Sequence, residues 1–204
     1  ARMARHTART FADADYVVLP SGSCAGMIRS FYAPLLTEPR TGENRASPRV
    51  PPSARPLWDR TYELSQFLVD ILGVVAAARP GGSDTPLGTG LSGLSLVYHH
   101  GCHALRELGV RDEPLALLRA CGADVSTWEG DTECCGFGGL FSTKFPQVSA
   151  GMADRKLDAI PAGVDVVASA DGGCLLQLSG RARRKGASPR FVHLATLLRE
   201  GLGA

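Results

Sequence analysis

Four of the six cysteines in this sequence have a spacing that suits a metal centre. Cys102 is separated by 31 residues from the adjacent pair Cys134 and Cys135, and a further 38 residues separate that pair from Cys174. Thiolates bind both structural zinc and iron–sulfur clusters. If the chain folds so that these four residues meet, they could therefore hold either.

The adjacent pair favours an iron–sulfur cluster. Structural zinc sites usually take two thiolates from a CxxC turn, and no two cysteines here have that spacing. Adjacent side chains splay to opposite sides, which suits a wide cluster with separate iron corners better than one small ion. Gly136, Gly138 and Gly139 follow directly, and they would let the backbone approach a cluster with N–H groups directed at sulfur. Zinc stays open as the alternative.

Short apolar segments alternate with helical patterns, which predicts an α/β fold with mostly parallel sheets flanked by helices. Strands are predicted in "DYVVLPSGSC", "LSLVYHHGC", "VDVVASADGGC" and "RFVHL", and helices at 25–36, 57–75, 103–110, 113–122, 146–160, 175–186 and 195–202. Cys102 and Cys174 each come just after a strand. Because the carboxyl ends of parallel strands share one edge, we expect these cysteines to converge there with the pair.

An internal repeat divides the chain. Asp15–Cys24 matches Asp165–Cys174 without a gap, and 61–72 matches 191–202 in apolar pattern. We therefore expect two tandem related units.

The repeat gives the predicted domain limits. The first unit spans 1–77, and the second, complete unit spans 91–204. A Gly/Pro-rich linker at 78–90 joins them, and 37–56 is predicted to be a surface loop. The first unit has no counterpart of the adjacent cysteine pair and the chain does not begin with Met, so we expect that unit to be shortened at its N-terminus.

The composition excludes several classes of function. The 204 residues are 44% hydrophobic with a formal net charge of +2, which is ordinary for a globular protein and argues against a nucleic-acid surface. No apolar run is long enough to span a membrane, and the start of the chain is not of signal-peptide type. Six cysteines without a secretion signal indicate a reducing, cytoplasmic setting.

Other polar residues have competing interpretations. His103 could hydrogen-bond a cluster or carry a proton, or it could pack locally. Asp171 is expected to cap a helix, and Cys121 to be a packing residue. The basic segment 180–186 could dock an acidic partner or form a solvated helix end. His99, His100 and His193 are interpreted as strand-associated residues.

Several segments, in order and spacing, resemble the cysteine-rich CCG domain family. They are "HHGCHALRELGV", "ECCGFGGLFSTKFPQVSAGMADRKL", "ADGGCLLQLSGRARRKG" and "FVHLATLL". The family includes subunits of heterodisulfide reductases, glycolate oxidases and lactate-utilisation systems, and this chain is most similar to the last group. Members are two-copy α/β proteins that bind iron–sulfur clusters.

The resemblance implies site residues and a function. Cys102, Cys134, Cys135 and Cys174 match one full cluster set, and Cys24 matches the last cysteine of the other set. Because the rest of that set is absent from this chain, we expect Cys24 to be a small buried apolar residue rather than a ligand. Members of the lactate group oxidise L-lactate to pyruvate together with a ferredoxin-like iron–sulfur protein and a third subunit. We therefore expect an electron-transfer subunit with a [4Fe–4S] cluster and lactate, or glycolate, as the substrate of the complex.

The chain departs from the reductase pattern, which ends in CxxC. Here Asp171 and Ser21 stand three residues before Cys174 and Cys24. The missing cysteines favour an ordinary four-thiolate cubane over direct thiol–disulfide chemistry. A heterodisulfide-reductase-like oxidoreductase and a zinc-stabilised structural module are the alternatives.

Overall fold

The computed structural model describes residues 1–36, 55–75, 86–186 and 189–203. This part of the chain contains two parallel sheets flanked by helices, so the predicted fold class is confirmed. The strands are β1 Val17–Leu19, β2 Thr61–Glu63, β3 Ser95–Tyr98, β4 Asp124–Ser126, β5 Val166–Ser169 and β6 Arg190–His193. The α-helices are α1 Arg2–Thr10, α2 Gly22–Gly26, α3 Tyr32–Leu36, α4 Leu64–Gln66, α5 Glu113–Ala120, α6 Leu140–Lys144, α7 Pro146–Asp158, α8 Gly172–Lys185 and α9 Leu194–Leu202.

Several helices include tighter or wider turns. A 3-10 turn at Leu57–Arg60 leads into β2. The π-helical segments are Met27–Phe31, Phe67–Ile71 and Ala104–Leu108. None of the described helices is both long enough and apolar enough to cross a membrane.

The larger sheet has the strand order β4-β3-β5-β6, with every pair parallel. Different groups of side chains pack on its two faces. Leu96 and Val166 are buried in one cluster with side chains of α5 and α9, whereas Val97 and Val167 pack against Trp128 on the other face. The chain runs from β3 outward to β4 and then returns past β3 to β5. Strand order therefore reverses between β3 and β5, and the carboxyl ends of these two strands form the crevice where doubly wound sheets bind ligands.

The smaller sheet repeats the geometry of β5 and β6. Val17 pairs with Thr61 and Leu19 with Glu63, and at the matching repeat positions Val167 pairs with Phe191 and Ser169 with His193. The capping also corresponds, because Glu63 and His193 each accept a hydrogen bond from the backbone two residues on, at the start of α4 and α9. The sequence repeat therefore corresponds to one strand–helix unit built twice.

The two units meet where α2 packs on the 104–108 helix. A Cβ added at Gly22 would lie 2.5 Å from the Ala104 Cβ, and one added at Gly26 would lie 2.7 Å from Glu107 Oε2. Glycines one turn apart thus let the two backbones come close.

We expect Gly22→Ala to lower the free energy of unfolding by about 1–2 kcal/mol, because the new methyl group overpacks a helix contact. Urea denaturation followed by circular dichroism measures this change. Gly151→Ala in α7 is the matched control, since nothing lies within 4 Å of its added Cβ. Equal stability of the two variants would show that the close contact does not constrain the interface.

One predicted element was wrong in detail, and one strand was not predicted. Thr61–Glu63 is a strand and not part of a helix over 57–75, because its backbone pairs with β1. The apolar residues from Leu64 onward do have helical spacing, but the predicted helix wrongly began at residue 57. Strand β4 was not predicted at all, because only Val125 of its three residues is buried and no alternation can be recognised in so short a segment.

The predicted loop and linker fall mostly outside the described residues, at 37–54 and 78–85. The described end of the linker is tightly packed. Leu87 N donates to Ala120 O at 2.8 Å, and a Cβ at Gly88 would lie 2.2 Å from Gly201 O. The domain limits drawn at residues 78–90 stay a prediction.

Candidate metal centre

A cavity of about 700 Å³ lies at the crevice beyond β3 and β5. Five of the six cysteines line it: Cys24, Cys102, Cys134, Cys135 and Cys174. The sixth, Cys121, is fully buried in the main core, as a packing residue would be. The structure therefore brings together all five cysteines that the sequence selected, and their role as ligands stays a prediction. Cys24 is exposed at the cavity, so the expectation that it is a buried packing residue was wrong.

Three of these cysteines lie at the N-terminal ends of helices. Cys102 begins the helical turn that leads into the 104–108 helix. Cys24 and Cys174 lie in the first turns of α2 and α8, which Ser21 and Asp171 cap by accepting from Cys24 N and Gly173 N. The predicted capping role of Asp171 is thus seen directly.

Asp171 also joins the two units. Its Oδ2 accepts a hydrogen bond from Ser23 N of the first unit at 3.1 Å, while Oδ1 accepts from Gly173 N at 3.3 Å. Both carboxylate oxygens are therefore engaged by backbone donors, and Asp171 holds the α2 end of the cavity against α8.

Backbone N–H groups are directed at the adjacent cysteine pair. Gly136 N donates to Cys134 Sγ at 3.4 Å, and Phe137 N donates to Cys135 Sγ at 3.5 Å. Gly136 has φ +83°, and a Cβ there would lie 2.6 Å from Ser149 O, so the turn against α7 requires glycine. Gly138 and Gly139 line the cavity itself. Such donors stabilise thiolate charge.

The thiols interact in two pairs. Burial raises the pKa of Cys102 to about 11, and the neighbouring Cys134 sulfur adds to the rise. The Cys174 thiol donates to Cys135, which holds the pKa of Cys135 well below its usual range and raises the pKa of Cys174. Crowded sulfurs therefore share protons, and a cation that replaced those protons would let all four ionise together.

Two buried polar residues beside the thiols were missed by sequence analysis. His99 has no exposed surface, and one of its ring nitrogens lies within 4.8 Å of the Cys135 and Cys174 sulfurs. Lys156 is 1% exposed, its Nζ donates to the carbonyl oxygens of Gly130 and Glu133, and it lies 4.9 Å from the centre of the Trp128 ring.

A sequence signal existed for only one of them. Lys156 falls on the same helical face of α7 as Ser149, Ala153 and Leu157, which are all buried. Helical periodicity could therefore have found it. His99 follows an apolar strand in a run of two histidines, and nothing in that pattern distinguishes it from His100.

His103 reaches the mouth of the cavity, but its ring already interacts with the Glu107 carboxylate. It is exposed, and its Nδ1 lies 2.7 Å from Glu107 Oε1. His193 also lines the cavity. Its Nδ1 accepts from Ala195 N, so its Nε2 donates to Pro20 O of the first unit at 3.0 Å.

The donor set fits a metal or a metal cluster. Soft thiolates converge, backbone N–H groups are directed at two of them, and the buried ring of His99 makes no hydrogen bond of good geometry with a described residue. Sulfur ligands of this kind select zinc, copper(I) or iron–sulfur clusters over hard cations.

Fold and site together define a cysteine-rich α/β protein with a thiol-lined crevice. Residues 96–179 match the CCG family, described as a cysteine-rich domain. Lactate utilization protein A of Bacillus cereus (strain G9842) is 37% identical over 196 residues, which are 95% of this chain and 74% of that protein. The protein of the same name from Geobacillus sp. (strain WCH70) is also 37% identical, with the same shares of both chains. The chain belongs to the lactate utilization protein A family.

Proposed function

We propose that this chain is the iron–sulfur electron-transfer subunit of a lactate-oxidising complex. The observation that carries the proposal is the convergence of Cys102, Cys134, Cys135 and Cys174, from three separate segments, at one crevice. The relatives named for lactate utilisation supply the substrate class.

The four cysteines would hold a [4Fe–4S] cluster, and Cys24 lies at the same cavity from the first unit. A cavity of about 700 Å³ far exceeds the room that a single ion needs, which favours a cluster over zinc. Asp171 and Ser21 occupy the positions where the reductase pattern has cysteine, and both act as helix caps. This favours a four-thiolate cubane over the reductase-like alternative.

Each surrounding residue has a defined task in that site. When bound, the cluster would supply one-electron redox chemistry. The N–H groups of Gly136 and Phe137 would stabilise the thiolates of the adjacent pair, Gly138 and Gly139 would leave room for the cluster, and Lys156 would balance buried negative charge. His103 and Glu107 would form part of the mouth.

The remaining parts of the proposal concern the complex. The complex would oxidise L-lactate to pyruvate, with glycolate and glyoxylate as the alternative pair. The two electrons would leave a substrate-oxidising site of the complex, and this chain would relay them one at a time to a partner's cofactor or clusters. The partners would be a ferredoxin-like iron–sulfur protein and a third subunit, in the cytoplasm.

Anaerobic reconstitution with ferrous iron and sulfide tests the cofactor. We expect a brown protein with about four iron and four sulfide per chain and an EPR signal on reduction. Lactate-dependent reduction of that cluster, with the other two subunits present, then tests the substrate. A colourless protein that takes up one tightly held zinc instead of iron would overturn the proposal in favour of a structural zinc module.

A further inference from the structure

His99 is fully buried beside two of the thiols that line the crevice, Cys135 and Cys174. It directly follows β3, the strand beside the topological reversal, and its backbone N donates to Ala168 O of β5 at 2.8 Å. This hydrogen bond joins the two strands whose ends form the crevice. It therefore fixes the backbone position from which the His99 side chain extends. From there the ring reaches the Cys135 and Cys174 sulfurs.

The ring of His99 lacks the partners that a buried imidazole normally has. It has no exposed surface, and neither Nδ1 nor Nε2 makes a hydrogen bond of good geometry with a described residue, although the Cys135 sulfur already interacts with the ring. A buried polar group without a partner costs about 1–3 kcal/mol. Such a group is usually explained by a ligand, an ion or a function.

An imidazole carries at least one N–H donor in either protonation state. One ring nitrogen of His99 lies within 4.8 Å of the Cys135 and Cys174 sulfurs, so these sulfurs are close enough to become its acceptors with a small adjustment of the ring.

We propose that His99 is a positioning residue that donates an N–H···S hydrogen bond to the thiolates of the bound cluster and thereby raises its reduction potential. A donor of this kind stabilises the more negative, reduced state more than the oxidised state. The cluster would in turn supply the hydrogen-bond partner that the buried ring lacks. This inference rests on the proposed function.

The potential of the reconstituted cluster tests the proposal. In His99→Leu, which keeps apolar volume and removes the donor, we expect iron and sulfide content close to that of the unaltered protein and a midpoint potential shifted to lower values. His99→Gln, which keeps an N–H group, should recover part of that shift. EPR-monitored redox titration measures both.

His100→Leu is the matched control. His100 is the adjacent residue and is also buried, but its ring packs edge-on against Tyr98 with ring centres 4.9 Å apart, and it does not belong to the group formed by His99 and the Cys135 and Cys174 sulfurs. We expect this variant to leave the potential unchanged. An equal shift in both variants would show a general packing effect and overturn the proposal.

Other outcomes are equally decisive. An unchanged potential in His99→Leu, or loss of iron from a variant that stays folded, would refute a donor role. Should both His99 variants fail to fold, EPR of the unaltered protein labelled with ¹⁵N-histidine decides: a weak ¹⁵N coupling supports the hydrogen bond, and a strong coupling or none overturns it. A folded, unaltered protein that binds no cluster would refute the proposed function itself, and that result is distinct from all of these.

Discussion

Cys135→Ala is expected to remove most of the cluster from the reconstituted protein. Cys135 is 2% exposed, interacts with Cys174, and receives a backbone hydrogen bond from Phe137 N. Its thiolate is therefore stabilised by two neighbouring donors. Loss of a residue outside the ligand set already costs roughly tenfold or more in metal affinity, so loss of a ligand should leave iron and sulfide per chain at a small fraction of the unaltered level.

Cys121→Ala is the matched control for this experiment. It removes the same group from a fully buried cysteine that lies in the main core and not at the cavity. We expect this variant to lose some stability and to keep its cluster. Iron content that stayed at the unaltered level in Cys135→Ala would show that the adjacent pair does not bind the cluster.

Lys156→Met is expected to lower the free energy of unfolding of the apo-protein by about 2–4 kcal/mol. The substitution leaves the carbonyl oxygens of Gly130 and Glu133 without their donor, and an unsatisfied buried acceptor costs about 1–3 kcal/mol. It also removes a cation over the Trp128 ring. Relief from burying an ammonium group works in the opposite direction, so the expected loss is smaller than the sum of the contacts removed.

Urea denaturation of the apo-protein measures this effect. Lys144→Met makes the same chemical change at an exposed position on α6 and should alter stability by no more than about 0.5 kcal/mol. If Lys156→Met were as stable as the unaltered protein, the loop before the adjacent cysteines would not depend on this lysine.

The sequence predicted the site best where one residue pattern determines both a strand and the position of the cysteine that follows it. Cys102 and Cys174 each follow a strand, and parallel strands end at one edge, so a prediction of two strands also placed two thiols. The repeat worked for the same reason, because a gapless match of Asp15–Cys24 with Asp165–Cys174 requires equivalent strand–helix units.

The errors arose where tertiary contacts decide the structure. Strands β2 and β4 have three residues each, too few for a periodic pattern, and pairing with a neighbour alone makes them strands. The burial of His99 and Lys156 depends on which side chains surround them after folding. Polar residues in a core leave little trace in a hydrophobicity pattern.

The thiol cavity is bounded by both halves of the molecule. Pro20, Ser23 and Cys24 come from the first unit, whereas the other four cysteines come from the second. A bound group that contacts both walls is thermodynamically linked to their association, because separation of the units would forfeit its binding energy. Binding of the cofactor should therefore stabilise the association of the two units. The two halves of the loaded protein should then unfold in a single cooperative transition.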